Sequence, residues 1–469
     1  MIWRLRSSNQ AAESARVPLW VSAADVVTAA LLCLALTSLI VPVRITAIGL
    51  TTRRWWRPLL GAVAIAAVRH ALVRNPSLRT RAATLWRSSQ TRWPALTFAV
   101  PVALAIRIAV VLVGYVGAVT IPFPADAPFT SSRLQAWWDL PRRWDAGWYI
   151  SVARNGYQWS GDLEGSRPWN FFPAYPYLLR FVASLCRLER TSSEAAFAWT
   201  ATLVSVVTFV VAAVWLYKLV EEQFGRPVAS KAVLLLSSYP FAIFYGAVYS
   251  EALFLFGVVT SWYYCRQNRV GLTFVCGLIS GLARPNGALL AFPLLLVARR
   301  RPLSIASTAA ALSPLLGVAI YSAYAYHVTG HPFIWIETQR EAFGRTYMPL
   351  TNTVGLELRV LAEGGLIQYL GAWPWRALNL AATILSLVAI WPIARRVGLA
   401  EAVFVALNTL VPLLNGGFVS MGRYTSTMFP IFIWLALTCN GASLPVLVCL
   451  FGIGQSLVAI GFFTWRNIF

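Results

Sequence analysis

The sequence predicts an all-α, polytopic transmembrane protein of about 11–13 spans with a large first extracytoplasmic loop. Three observations carry that prediction. Of 469 residues, 58% are hydrophobic and only 12% charged, whereas about a quarter of a soluble domain is charged. Apolar runs recur along nearly the whole chain, and a crossing helix needs about 20 such residues. The cations, 39 Lys+Arg against 17 Asp+Glu, gather between the runs, as the positive-inside rule asks of cytoplasmic loops. All but Lys218 and Lys231 are arginine, a coding bias expected of a GC-rich, actinobacterial genome.

Taken in order, residues 1–93 read as an N-terminal extension with one span, 22–43, and an Arg-rich cytoplasmic or amphipathic segment. Arg4, Arg6 and Arg16 precede the first run without a small-residue cleavage site, so the segment is expected to be retained. The block 44–93 contains "TTRRWWRP" and a weakly apolar piece, 58–73, expected to lie in the membrane plane. Residues 94–469 form the main transmembrane domain, with spans expected near 94–121, 195–217, 228–246, 250–265, 304–326, 376–394, 399–415, 425–440 and 443–463. The pieces 270–283 and 286–298 are short for a crossing and read as tilted helices or a hairpin.

Orientation follows from the arginines. With 44–93 in the cytoplasm, residues 122–190 form the first outer loop, and 171–186, Pro-broken, lie along the outer interface. Lys218–Lys231, Arg266–Arg269, Arg299–Arg301 and Arg395–Arg396 then fall inside, while the second outer loop covers 327–375. Four polar stretches come out on the same face as the first loop: "AVYSEALF", "ARPNG", "HVTGHPFIWIETQREAFGR" and "NGGFVSMGRY".

Composition also excludes classes of function. The cationic excess would suggest nucleic acid in a soluble protein, but there is no basic, aromatic-interleaved soluble module here. Cys33, Cys265, Cys276, Cys439 and Cys449 sit in or beside apolar runs, with Cys186 near one, and none has metal-ligand spacing. His327 and His331 lack a third ligand, so no metal is expected. No Gly-rich phosphate loop and no Ser–His–Asp elbow is present, which disfavours a nucleotide-using enzyme.

Five residues could carry chemistry, two of them competing aspartates. Asp145, one of five aspartates in the chain, stands beside Trp144 in "RRWDAGWYISVARNGY". Partial desolvation by aromatics tunes a carboxylate toward general-base work; the plainer reading is an interfacial loop in which it pairs with Arg142 or Arg143. Asp139 is the competing carboxylate. Glu251 opens an apolar run, either as a solvated helix start or as an acid facing a polar cavity. Arg284 interrupts apolar sequence and needs a counter-charge, Glu251 or a ligand phosphate. Arg423 in "GRYTS" has the same status. Either arginine alone would serve as an interface anchor; as a pair they suit an anionic lipid-linked substrate.

The motif "RRWDAGWYISVARNGY" followed by "FFPAYPYLL" resembles the RWD…FFP block of PIG-V-like mannosyltransferases, which add the second mannose in GPI-anchor assembly, and their bacterial relatives. "SYPFAIFYGAVYSEALF", "GLISGLARPNG" and "GRYTSTMFPIFIW" continue the resemblance in the same order, from about residue 95 to 440. The chain departs from the family pattern where Pro285 replaces a serine after Arg284.

The resemblance implies a GT-C-like glycosyltransferase whose site faces the extracytoplasmic side of a cell membrane. Such an enzyme moves a sugar, here expected to be mannose, from a polyprenyl-phosphate carrier to a lipid-linked or glycan acceptor. The partners implied are that donor, that acceptor and membrane lipids, with no nucleic acid and no cofactor. It assigns Asp145 as the inverting base and Arg284 and Arg423 to the leaving phosphate. Glu251 would contact a sugar hydroxyl or orient an arginine, and His331 would assist at the phosphate. Trp144, Trp148 and Tyr157 would shape the acceptor pocket, and Arg143, Tyr149 and Asn286 are counted with the substrate contacts. The alternatives are a non-catalytic membrane subunit and a lipid or solute transporter. A transporter should show internal repeats with polar residues at mid-membrane, and none is evident.

Overall fold

The structure is a computed structural model that describes residues 18–40, 44–45, 50–51, 56–74, 77–127, 135–186, 188, 193–300, 302, 304–372 and 374–468. Arg4, Arg6, Arg16 and Arg301 lie outside the described residues. The fold is all-α; the strand pairing among the described residues is a two-residue antiparallel ladder, Arg44–Ile45 with Leu50–Thr51. The chain divides into two compact units, Met1–Pro94 and Ala95–Phe469.

The first unit contains α1 (Leu19–Ile40), α2 (Trp56–Leu72) and α3 (Leu78–Arg92). One acid ties the three together. Asp25 on α1 takes Arg69 Nε of α2 at 3.0 Å on one oxygen and Arg81 Nε of α3 at 2.9 Å on the other. Arg69 is buried, so its charge needs that partner.

The second unit begins with α4 (Pro94–Thr120), whose residues Ala99, Ala103, Arg107, Val110, Gly114 and Gly117 form one buried face. The first long loop carries α5 (Ala136–Asp139), α6 (Ala146–Asn155) and α7 (Ala174–Leu185). Next come α8 (Glu194–Ser238), α9 (Glu251–Arg266), α10 (Val270–Ala283), α11 (Ala291–Ala298) and α12 (Ile305–Thr329). The second long loop holds α13 (Ile334–Phe343) and α14 (Leu350–Ala372). The chain ends with α15 (Pro374–Arg396), α16 (Leu399–Leu414), α17 (Met421–Ser426), α18 (Phe429–Thr438) and α19 (Ser443–Phe463).

Among the described residues, five helices are long and apolar enough to cross a membrane: α4, α8, α12, α15 and α19. This is a multi-pass membrane protein. Other apolar runs form shorter helices, and two of the departures have a local reason. The 270–283 and 286–298 pieces are indeed separate: Pro285 forces Arg284 into extended backbone (φ −157, ψ 150), so α10 stops at Ala283. The expected 195–217 and 228–246 spans are joined in α8, which breaks at Gly225 (φ 80). The 228–246 run then leaves the helix at Ser238, because Pro240 opens a 3₁₀ turn over Pro240–Tyr245.

Non-helical backbone inside an apolar bundle must find donors from side chains. Arg107 Nη2 donates to the Ser237 carbonyl at 2.7 Å, and Gln455 Nε2 donates to Ser237 and Tyr239 carbonyls at 3.0 and 2.8 Å. Arg107 also reaches the Ala242 carbonyl. Elsewhere the bundle closes on small residues. A Cβ on Gly281 would lie 2.0 Å from the Pro314 oxygen, and one on Gly317 would lie 2.7 Å from the Leu278 oxygen. The α10–α12 crossing therefore depends on bare backbone at both positions.

Candidate active site

The first loop turns sharply before α6. Trp144 sits in the left-handed region (φ 54), an uncommon state for a bulky residue. Its indole Nε1 donates to the Phe462 carbonyl at 3.0 Å and its ring lies 5.5 Å from that of Trp465. The turn delivers Asp145 to the N-cap position of α6. An aspartate there ordinarily accepts from its own helix, but this side chain makes no capping bond. Its backbone N–H donates to the Tyr249 hydroxyl at 3.0 Å, and its carboxylate faces Arg423, Nη1 to Oδ2 3.4 Å.

Glu251 is the centre of the cluster. It opens α9, is fully buried, and its Oε1 takes both Arg423 Nε and Arg284 Nη1. Its Oε2 is buried without a partner. Arg284 also points Nε at Asn286 Oδ1, 3.4 Å, and Asn286 Nδ2 donates to Asn408 Oδ1 on α16 at 2.9 Å. The break before Pro285 thus has a use: it ends α10 where its terminal arginine meets the start of α9.

Arg423 reaches the cluster on α17, entered through Gly416 (φ 137), Gly417 (φ 62) and Ser420 (φ 64). Asn379 Oδ1 on α15 accepts from the Gly422 N–H at 2.9 Å, and a Cβ on Gly422 would strike the Phe241 ring at 2.2 Å. The guanidinium of Arg423 lies 4.6 Å from the Tyr249 ring centroid and 5.2 Å from that of Phe244. Tyr149 on α6 closes another side, its hydroxyl 3.0 Å from Ser250 Oγ.

Burial pushes the Asp145 carboxyl above the usual carboxylate range, Glu251 adds to the rise, and Arg423 and Arg345 pull against it. Its side chain keeps 24% exposure, against none for Glu251. Asp145 is therefore open to solvent and Glu251 is not. Among the described residues no group of three His, Cys, Asp or Glu could hold a metal ion.

The structure thus brings together Asp145, Tyr149, Glu251, Arg284, Asn286 and Arg423, from four separate sequence blocks. Arg143 lies elsewhere. It is fully buried, Nη1 at 2.7 Å from Asp139 Oδ2 and Nε donating to the Phe463 carbonyl at 2.9 Å. The expected alternative pairing of Asp145 with Arg142 or Arg143 does not occur; Arg142 instead meets Asp139 and Glu194. Trp148 is partly buried on Phe171. Tyr157 belongs to a second aromatic cluster with Trp169 and Tyr321, its hydroxyl bonded to the Phe171 carbonyl. His331 is paired with Glu337, Nδ1 to Oε2 3.0 Å, beside Trp159.

Three participants escaped the sequence reading. Tyr249 holds the backbone of Asp145. Arg345, just past α13, donates to the Tyr424 hydroxyl at 3.2 Å and to Ser420 Oγ at 3.3 Å. The Tyr424 ring lies between Arg284 and Arg345, 5.5 and 6.0 Å from their guanidinium carbons. The signal for Arg345 was its place at the end of an outward polar stretch, but nothing local ties it to Arg423, 78 residues on.

The multi-pass helical bundle thus sets a partly exposed carboxylate, Asp145, beside the guanidiniums that Glu251 holds. Residues 126–297 match the family described as mannosyltransferase (PIG-V), and this part of the chain is PIG-V-like. The match includes Asp145, Glu251, Arg284 and Asn286, and leaves Arg345 and Arg423 outside. Over 174 residues the chain is 33% identical to GPI mannosyltransferase 2 of Drosophila pseudoobscura pseudoobscura, covering 35% of this chain and 37% of that relative. Among solved structures, the Archaeoglobus fulgidus oligosaccharyltransferase bound to zinc and sulfate is similar at a TM-score of 0.39 and 15% identity, covering 76% of this chain and 53% of that one. Its apo form is similar at 0.36 and 14% identity, over 76% of this chain and 56% of that one.

Proposed function

We propose that this chain is a membrane mannosyltransferase of the GT-C type. It moves mannose from a polyprenyl-phosphate carrier to a lipid-linked or glycan acceptor on the extracytoplasmic face, with inversion, and Asp145 is the general base. The observation that carries the reading is the Asp145–Arg423–Glu251–Arg284 cluster, lying partly within the PIG-V-like segment. With Arg345 beside it, three guanidiniums meet two carboxylates, leaving one positive charge unmatched. That surplus suits a departing phosphate.

The chemistry is one in-line displacement. Asp145 accepts the proton of the acceptor hydroxyl as its oxygen forms a bond to sugar C1. The bond from C1 to the phosphate oxygen breaks, its electron pair leaving on the phosphate, where Arg423, Arg284 and Arg345 meet the charge. Glu251 fixes Arg423 and Arg284 so that they are in place before the charge develops. No metal takes part in this scheme.

The test is transfer from radiolabelled polyprenyl-phospho-mannose by the purified chain in nanodiscs, with a lipid extract of the source cell as acceptor. Transfer by wild type that vanishes in Asp145→Asn is expected. Transfer that survives the substitution would remove Asp145 as base. Absence of both transfer and carrier binding in wild type would favour the non-catalytic or transport readings.

A further inference from the structure

The α9–α10 hairpin has two ends. One holds Glu251 and Arg284; the other holds Arg266 and the start of α10 at Val270. Sixteen residues of α9 separate them, a helical length of roughly 24 Å. At the far end lies a cavity of about 310 Å³ between the ends of α9, α10, α11 and α12. Its walls include Arg266, Arg300, Asn268, Thr273 and Ser307, and among the described residues no carboxylate.

The charges around it are uneven. Arg266 donates to Gln223 and to Glu401, which stands behind it on α16, outside the cavity wall. The buried Nε of Arg266 has no partner. Glu222, exposed, accepts from Gln267 at 2.9 Å and also lies outside the wall. Arg300 is exposed and has no ion pair among the described residues. The first turn of α10 adds backbone donors, for its N-cap residue, Arg269, makes no side-chain capping bond.

Depth narrows the ligand. Ser307 lies in the first turn of α12, one of the helices long enough to span the membrane. A cavity at the end of a span sits at the level of lipid headgroups, and basic pockets between spans bind them. An ordinary interfacial arginine snorkels to the bilayer surface and needs no enclosed space. Here two guanidiniums line a concavity large enough for a headgroup.

We propose that this cavity is a binding site for a phosphate ester, the headgroup phosphate of an anionic phospholipid, held by Arg266 and Arg300 at the bundle end opposite Asp145. The site is independent of the transfer reaction. Its test is native mass spectrometry of the full chain released from nanodiscs of phosphatidylcholine and phosphatidylglycerol in equal amounts, comparing wild type, Arg300→Gln and Arg299→Gln. Arg299 neighbours the cavity without lining it, and both positions are exposed. Wild type and Arg299→Gln should retain phosphatidylglycerol over phosphatidylcholine. Arg300→Gln should lose that preference by about tenfold, the loss of one bond to a charged group.

A parallel measurement follows thermal unfolding of detergent-purified protein with inorganic phosphate. A rise that Arg300→Gln abolishes, without lipid preference, would keep the phosphate site and make its source soluble. Equal losses in the two variants, or neither preference nor thermal shift in wild type, would overturn the proposal.

Discussion

Two aspartates six residues apart have opposite surroundings. Asp139, ending α5, is held by Arg143 at 2.7 Å and touched by Arg142 at 3.7 Å. Arg143 is fully buried and also ties the loop to the end of α19 through the Phe463 carbonyl. Every feature of that pair serves to fasten the loop. Asp145 has one long contact to a guanidinium that Glu251 already holds, no helix-capping bond, and an exposed edge. The difference teaches that in this loop an acid's availability depends on its contacts in space more than on its neighbours in sequence. Both aspartates have an adjacent tryptophan, so aromatic flanks do not separate them.

The strongest way to break the comparison is to neutralise each in turn. Asp145→Asn should lower kcat by about 10²–10⁴-fold, the usual worth of a positioned base, with thermal stability kept. Asp139→Asn should do the reverse, costing about 3 kcal/mol or more through an uncompensated buried Arg143, with turnover per folded molecule largely preserved. Differential unfolding in detergent together with single-turnover transfer separates the two. Equal loss of activity at equal folded fraction would end the distinction.

Glu251→Gln comes next. It leaves Arg284 and Arg423 without their shared carboxylate, and a rate loss on the order of 100-fold is expected, comparable with losing one preorganised electrostatic contact. If turnover survives intact, the cluster is structural.

The pH dependence sharpens the reading of Asp145. A base must be ionised, so kcat/KM should rise with pH through the pKa of the free enzyme. Burial places that limb above the ordinary aspartate value of about 3.9. Arg423 opposes the rise, so Arg423→Gln should move the limb to higher pH. Linkage has the matching sign: a carboxyl whose folded pKa is raised costs stability above that pKa, and the cost fades as pH falls through it. Asp145→Asn should therefore not destabilise the protein at neutral pH. A limb that stays put in Arg423→Gln would sever the link between the two residues.

The smallest effect is expected at the turn between the aspartates. Trp144→Phe removes the donor to the Phe462 carbonyl and should cost about 1 kcal/mol of stability, with the acid limb of the rate profile unmoved.

Much of the fold was legible. Apolar runs and the arginines between them gave the helical, multi-pass class, and Pro285 gave the break that separates α10 from α11. The 228–246 run misled because hydropathy does not register the turn at Pro240 when Arg107 and Gln455 supply its missing donors from helices far away in sequence. At the site, Asp145 could be singled out by its tryptophan neighbours, Glu251 at the start of an apolar run, and Arg284 and Arg423 as cations interrupting apolar sequence. Their pairing could not. Asp145 meets Arg423 across 278 positions, and Glu251 meets Arg284 across 33. Tyr157 and His331 look equally eligible in one dimension, and the structure sends one to a different aromatic cluster and the other to a contact with Glu337.

By itself, then, the sequence determined that the chain is helical and largely apolar and where charge interrupts it, because helix formation and burial in lipid depend on neighbouring residues. Which aspartate is fastened and which is left open, and that Arg345 and Tyr249 join the site, only the tertiary structure decided. Charge pairing in a low-dielectric interior depends on through-space distance, and here that distance is set by the packing of α6, α9, α10 and α17.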